Sequence, residues 1–197
     1  MSKKYELVVD DTITFWGWKL FRIKALISFG SVDAGDLGGY IYTEDNLSQK
    51  GDAWVSGDAK VWGNAKVSGN AEVWGDAEVS GDAKVWGDAW VSGDAEVWGN
   101  AKVSGDAKVW GNAKVSGNAE VSGDAKVSDF EDVIVFKNHW SSGRHFTYTK
   151  SNKMWRVGCF YGTGQELIDK AYRDSEKSGN YYKAYVEFIA SLEGLGE

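Results

Sequence analysis

The sequence predicts a mainly β protein: a parallel β-solenoid at its centre, an N-terminal β cap before it and a C-terminal α+β domain after it. Three observations carry this reading. From 51 to 128 a hexad, Gly-Asp/Asn-Ala-x-Val-Ser/Trp, repeats 13 times without a gap. Glycine supplies 25 of the 197 residues and proline none, a pairing that fits neither a disordered linker nor collagen and that requires regular structure to use the glycines. The flanks, 1–50 and 129–197, lose the repeat and turn aromatic and branched.

Strict internal periodicity is the mark of a solenoid, because a single unit cannot bury its apolar face and must stack on its neighbours. Gly followed by Asp or Asn is a corner: Gly takes positive φ without a steric cost, and the Asx side chain bonds nearby backbone. The four residues left in each hexad make a short strand. Side chains alternate across a strand, so Ala53 and Val55 point inward while Trp54 and Ser56 point outward, and every hexad repeats that choice.

In the N-terminal flank, 5–9, 12–15 and 19–27 read as strands. Ile41 and Leu47 fall in register with the Ala53 column, so the coil begins irregularly near Tyr40. In the C-terminal flank a strand at 133–136 precedes a hairpin of 146–149 and 154–160, turning at Ser151-Asn152. Thr163-Gly164-Gln165-Glu166 is a capping box ahead of Leu167, Ile168, Ala171 and Tyr172. A second helix, capped at Asn180, carries Tyr181, Tyr185, Phe188, Ile189 and Leu192 at helical spacing.

The hexads resemble the hexapeptide-repeat family, in which an aliphatic residue is followed four positions later by a small one, here Val55 to Ala59, Val61 to Ala65 and on to Val121 to Ala125. The resemblance implies a left-handed parallel β-helix with three hexads per coil, so that 13 hexads make a little over four coils, about 20 Å tall. The wider layout is similar to bacterial and prophage proteins grouped with the hexapeptide-repeat transferases; it includes Gly35-Asp36-Leu37-Gly38-Gly39, Asp45-Asn46-Leu47-Ser48 and Gly158-Cys159-Phe160-Tyr161-Gly162-Thr163. That likeness implies an accessory protein of a mobile element that acts on host machinery. Many members of the wider family are acyltransferases that use a histidine beside a loop extruded from the coil and bind CoA between subunits. Here the only histidines, His139 and His145, lie outside the coil, and no loop interrupts the hexads. A CoA thioester substrate is therefore the alternative expectation, and a non-catalytic protein the leading one.

Charge narrows the partners. Lys and Arg number 22 against 29 Asp and Glu, a formal net charge of −7, which argues against a non-specific grip on nucleic acid. Cys159 is the one cysteine, so no internal disulfide forms. The N-terminus lacks the apolar stretch of an export signal, and the longest apolar runs fall far short of the roughly 20 residues that cross a bilayer. A cytoplasmic protein with no membrane partner is expected. No cofactor or metal is expected either: turn chemistry accounts for corners such as Asp52, Asp58 and Asp76, Gly162-Thr163-Gly164 reads as a helix-starting turn, and Cys159 reads as an inert member of an apolar strand.

Tryptophan is the uncommon feature. With three hexads per coil, Trp54, Trp74, Trp90 and Trp110 climb a single face of the solenoid, Trp62 and Trp98 a second, and Trp86 a third. Four exposed indoles amount to roughly 600 Å² or more, at or above the largest apolar patch of a typical soluble monomer. Trp54, Trp74, Trp90, Trp110, Trp62 and Trp98 are thus the expected interaction surface. The expected cover is the chain's own C-terminal helices, a second copy in a homo-oligomer, or a host protein that is bound or blocked, as in a counter-defence inhibitor. A purely structural oligomer is the further alternative.

Overall fold

Each hexad turns its corner at the glycine and lays two residues into a strand. At a representative corner, Gly87 has φ +76° and a Cβ there would stand 2.9 Å from the Gly105 nitrogen of the next turn, so conformation and stacking both exclude a side chain. The computed structural model, which describes residues 3–195, contains thirteen such two-residue strands, from β4 (Trp54–Val55) to β16 (Lys126–Val127). They stack in parallel at intervals of three hexads: Trp90 pairs with Glu72 and Lys108, and Val91 with Val73 and Val109. Three parallel sheets result. The Ala and Val of all thirteen hexads are buried and form one continuous core along the axis.

The coil starts before the hexads do. Strand β3 (Leu37–Ile41) pairs in parallel with Lys60–Val61, and Leu47 bridges Val67. Each face therefore carries five rungs, and the solenoid makes about five turns rather than a little over four. Ile41 and Leu47 lie under Val61 and Val67, not in the alanine column. This first turn holds two more residues than the later ones, and they fall just before Gly51. The longer segment has a use: Gln49 accepts from the Lys4 backbone nitrogen at 2.8 Å and so pins the start of the N-terminal strand to the coil.

Strands β1 (Tyr5–Phe15) and β2 (Trp18–Ala25) form an antiparallel hairpin that pairs through β2 with β3, so it extends one sheet of the coil. Segments 5–9 and 12–15 are one strand because a register shift between Val8 and Thr12 absorbs Val9-Asp10-Asp11 as an irregular bulge.

Backbone polarity distinguishes the two ends. Within the coil each rung's N–H groups donate to the carbonyls of the rung above, as Trp90 N donates to Ala107 O at 2.9 Å. The lowest rung is left with free carbonyls and the highest with free N–H groups. Donors cover the bottom: the Lys4 ammonium donates to the carbonyls of Gly51 at 3.1 Å and Ala53 at 2.8 Å, and the Asn46 amide to those of Gly63 at 3.1 Å and Ala65 at 2.8 Å. Acceptors cover the top. Glu120 N donates to Thr147 Oγ1 at 2.9 Å, Lys126 N to Ser151 Oγ at 2.8 Å and Ser128 N to Asp132 Oδ2 at 2.7 Å. Lys4, Asn46 and Thr147 are buried, as polar groups can be when each has a partner.

Thr147 lies in a four-stranded antiparallel sheet of β17 (Val133–Lys137), β18 (His145–Thr149), β19 (Met154–Val157) and β20 (Phe160–Thr163), Ser151 in its β18–β19 turn and Asp132 just before β17. Gly158, at φ +58°, breaks the expected 154–160 strand into a hairpin and leaves Cys159 exposed at its turn rather than inside a strand. Helix α1 (Gly164–Asp174) starts at the Thr163–Glu166 capping box, and α2 (Glu176–Glu193) at Ser175, whose Oγ accepts from Ser178 N at 3.1 Å. The expected cap, Asn180, lies inside α2; there its side chain accepts from the Tyr172 hydroxyl at 2.7 Å beside the buried Gly179, where a Cβ would strike the Tyr172 ring. Phe146, Tyr148, Trp155, Leu167, Tyr182 and Ile189 form a second core, separate from that of the coil.

Candidate functional site

The three faces of the coil present different chemistry. The first carries Trp54, Trp74, Trp90 and Trp110. Trp74, Trp90 and Trp110 are 43%, 41% and 37% exposed, whereas Trp54 is only 7% exposed. Trp54 points away from the coil axis as its hexad position requires, but the N-terminal cap folds over it: Tyr5 meets its ring edge-on at 6.3 Å and Phe29 at 5.4 Å. The cap thus takes one indole of the four and leaves three. The Lys108 ammonium lies 4.5 Å from the Trp90 ring centroid, a cation–π contact that fixes the ring's pose.

The second face carries Trp62 and Trp98, both half-buried. Phe15 meets Trp62 edge-on at 5.3 Å, and Trp16 from the hairpin tip joins the two indoles around a shallow recess of about 240 Å³. Glu78 and Glu96 line it. Burial pushes the Glu78 carboxyl up against the pull of Lys60, and Glu96 adds to the rise. Lys114 pairs with Glu96 at 3.1 Å. The outward column Lys60, Glu78, Glu96, Lys114 is therefore balanced in charge.

The third face is not balanced. Lys66 pairs in register with Lys84, and Lys84 with Lys102, which faces Glu120. Between this face and the C-terminal sheet lies a cavity of about 670 Å³, walled by Lys84, Trp86, Lys102 and Glu120 from the coil and by Arg144 and Arg156 from the sheet. Glu120 accepts from Lys102 Nζ at 2.7 Å and from Arg156 Nε at 3.2 Å, which ties the sheet to the coil. His145 and Cys159 complete the rim.

Of the six expected interaction residues, then, Trp74, Trp90 and Trp110 share one open face, Trp62 and Trp98 share another with less exposure, and Trp54 is taken into the cap. The C-terminal helices do not cover the first face. His139 lies against Trp140 and Tyr181, each at 5.3 Å between centroids, apart from the cavity. The cavity was not expected from the sequence, although the signal was present: lysine recurs at one hexad position in 66, 84 and 102. Among the described residues no group of three His, Cys, Asp or Glu side chains is arranged to hold a metal, and no helix is long and apolar enough to cross a membrane. No protein-family model matches the chain, and no curated protein matches it in sequence.

Proposed function

We propose that this chain is a non-catalytic binding protein, a rigid left-handed β-helix that presents Trp74, Trp90 and Trp110 to a host protein in the cytoplasm. The observation that carries this reading is the exposure of those three indoles, at 43%, 41% and 37%, on one parallel sheet that the rest of the chain leaves uncovered. Tryptophan dominates the energetics of protein interfaces. The stacked sheet fixes the backbone that carries the rings, and the Lys108 ammonium holds the Trp90 ring, so part of the ordering cost is met before association. Glu72 and Lys126 on the same face supply the charged rim that such surfaces carry.

The test is a Trp74→Ser, Trp90→Ser, Trp110→Ser variant, compared with wild type by light scattering and as immobilised bait for host extract. Loss of a partner that the wild type retains, with the β signal intact, is the expected result; equal retention overturns the reading. If instead the wild type is a dimer and the variant a monomer, the face serves self-association.

His145 on the cavity rim is the one observation that favours acyl transfer. Turnover of a CoA thioester that is lost in His145→Ala would establish that second reading; no turnover across a thioester panel would remove it.

A further inference from the structure

We propose that the cavity between the third face of the coil and the C-terminal sheet binds a nucleotide, a planar heterocycle carrying phosphate, at a site separate from the tryptophan face. Four cationic side chains line it, Lys84, Lys102, Arg144 and Arg156, against the single carboxylate of Glu120. The chain as a whole is acidic, at −7, so this concentration of positive charge does not follow from composition.

Like charges directly opposite on neighbouring strands are destabilising, and the Lys66–Lys84–Lys102 column places three of them about 4.8 Å apart. The second face also sets Glu78 opposite Glu96, but Lys60 and Lys114 flank that pair and bring its column to zero net charge. Glu120 is consumed by Lys102 and Arg156. Among the described residues neither Lys84 nor Arg144 forms an ion pair, so both remain available to an anion. Arginine and lysine together are suited to phosphate: the guanidinium fork bonds two oxygens at once, and the ammonium acts as a point charge.

Two features select a nucleotide over bare phosphate. At about 670 Å³ the cavity has the size of a site for a drug-sized ligand. Trp86, 36% exposed, offers an indole face in the same wall, and aromatic–base stacking is sequence-tolerant and strong.

Calorimetric titration of the full chain with ATP, GTP and a 3′,5′-linked adenine dinucleotide at low ionic strength tests this. The expected result is that at least one binds once per chain in the micromolar range and slows modification of the exposed Cys159 by a thiol reagent. Lys84→Ser combined with Arg144→Ser, two exposed side chains outside both cores, should weaken it roughly tenfold or more. Trp86→Ser should weaken the nucleotide and leave pyrophosphate unaffected. The triple Trp74, Trp90, Trp110 variant should bind as wild type does, which separates this site from the protein-binding face. Pyrophosphate binding as tightly as the best nucleotide would overturn the assignment to a nucleotide. Absence of binding by all three, or affinity indifferent to the double substitution, would overturn the site.

Discussion

The Lys4 ammonium donates to the Ala53 carbonyl at 2.8 Å while 2% exposed, and lies 4.7 Å from the centroid of the Phe29 ring. Burial lowers its pKa from 10.5 to about 8, against the opposing pull of Asp52. The folded chain thus releases this proton before the unfolded chain does. Between about pH 8 and pH 10.5 the unfolded state binds more protons, so the Lys4 contribution makes stability rise with pH across that window. Urea midpoints from pH 8 to 10 should show the rise in wild type and lose it in Lys4→Met. That variant should also be less stable at pH 7, by about 1–3 kcal/mol for each carbonyl left without a donor.

Trp54 and Trp90 occupy the same hexad position two rungs apart, yet one is buried and the other open. Trp54→Ala should destabilise by about 3–5 kcal/mol, as removal of a buried aromatic does. Trp90→Ser should cost at most about 1 kcal/mol, the value of an exposed cation–π contact. Thermal or denaturant melts of the two variants check the contrast, and equal costs would contradict the cap's hold on Trp54.

Thr147 tests the top of the coil. Its hydroxyl accepts from Glu120 N at 2.9 Å in a buried setting. Thr147→Val keeps the shape and removes the acceptor, so a loss of about 1–3 kcal/mol is expected. Amide exchange at Glu120 should accelerate in this variant, whereas exchange at Trp90, bonded within the coil, should not.

Gly123 stands at the last corner with φ +68°, and a Cβ there would collide with the Tyr161 hydroxyl, which itself donates to Ser122 O at 3.2 Å. Gly123→Ala should therefore cost more than the about 1–2 kcal/mol of a left-handed alanine. In a Tyr161→Ala background the same change should cost only that conformational part. A double-mutant cycle measures the difference, and strict additivity would refute the collision.

The hexads were legible because everything that defines them is local: the glycine corner, the alternation of Ala and Val with outward residues, and the unbroken register. The three faces and their tryptophan columns follow from stacking at that period. The longer first turn was not legible. Its two extra residues make sense only once Gln49 is seen against the Lys4 backbone, a contact 45 positions away in sequence. The burial of Trp54 failed for the same reason, since Tyr5 and Phe29 reach it from the hairpin side. Asn180 was a chemically sound helix cap, but Gly179 is needed inside the helix to admit the Tyr172 ring. Half of the cavity stood in the lysine column at 66, 84 and 102; the other half, Arg144 and Arg156, lies at hairpin ends that no spacing places over the coil.

Because donors close one end and acceptors the other, the number of rungs between them is free to vary. Duplicating three hexads would lift the C-terminal sheet by about 4.8 Å and keep it above the same face, with both ends still matched. Duplicating a single hexad would swing that sheet, together with its partners Glu120, Lys126 and Ser128, onto the neighbouring face of the rungs below and change its phase against the N-terminal cap. Length changes in a repeat of this kind should therefore be inherited in whole turns, with the phase between the two ends conserved while the height drifts.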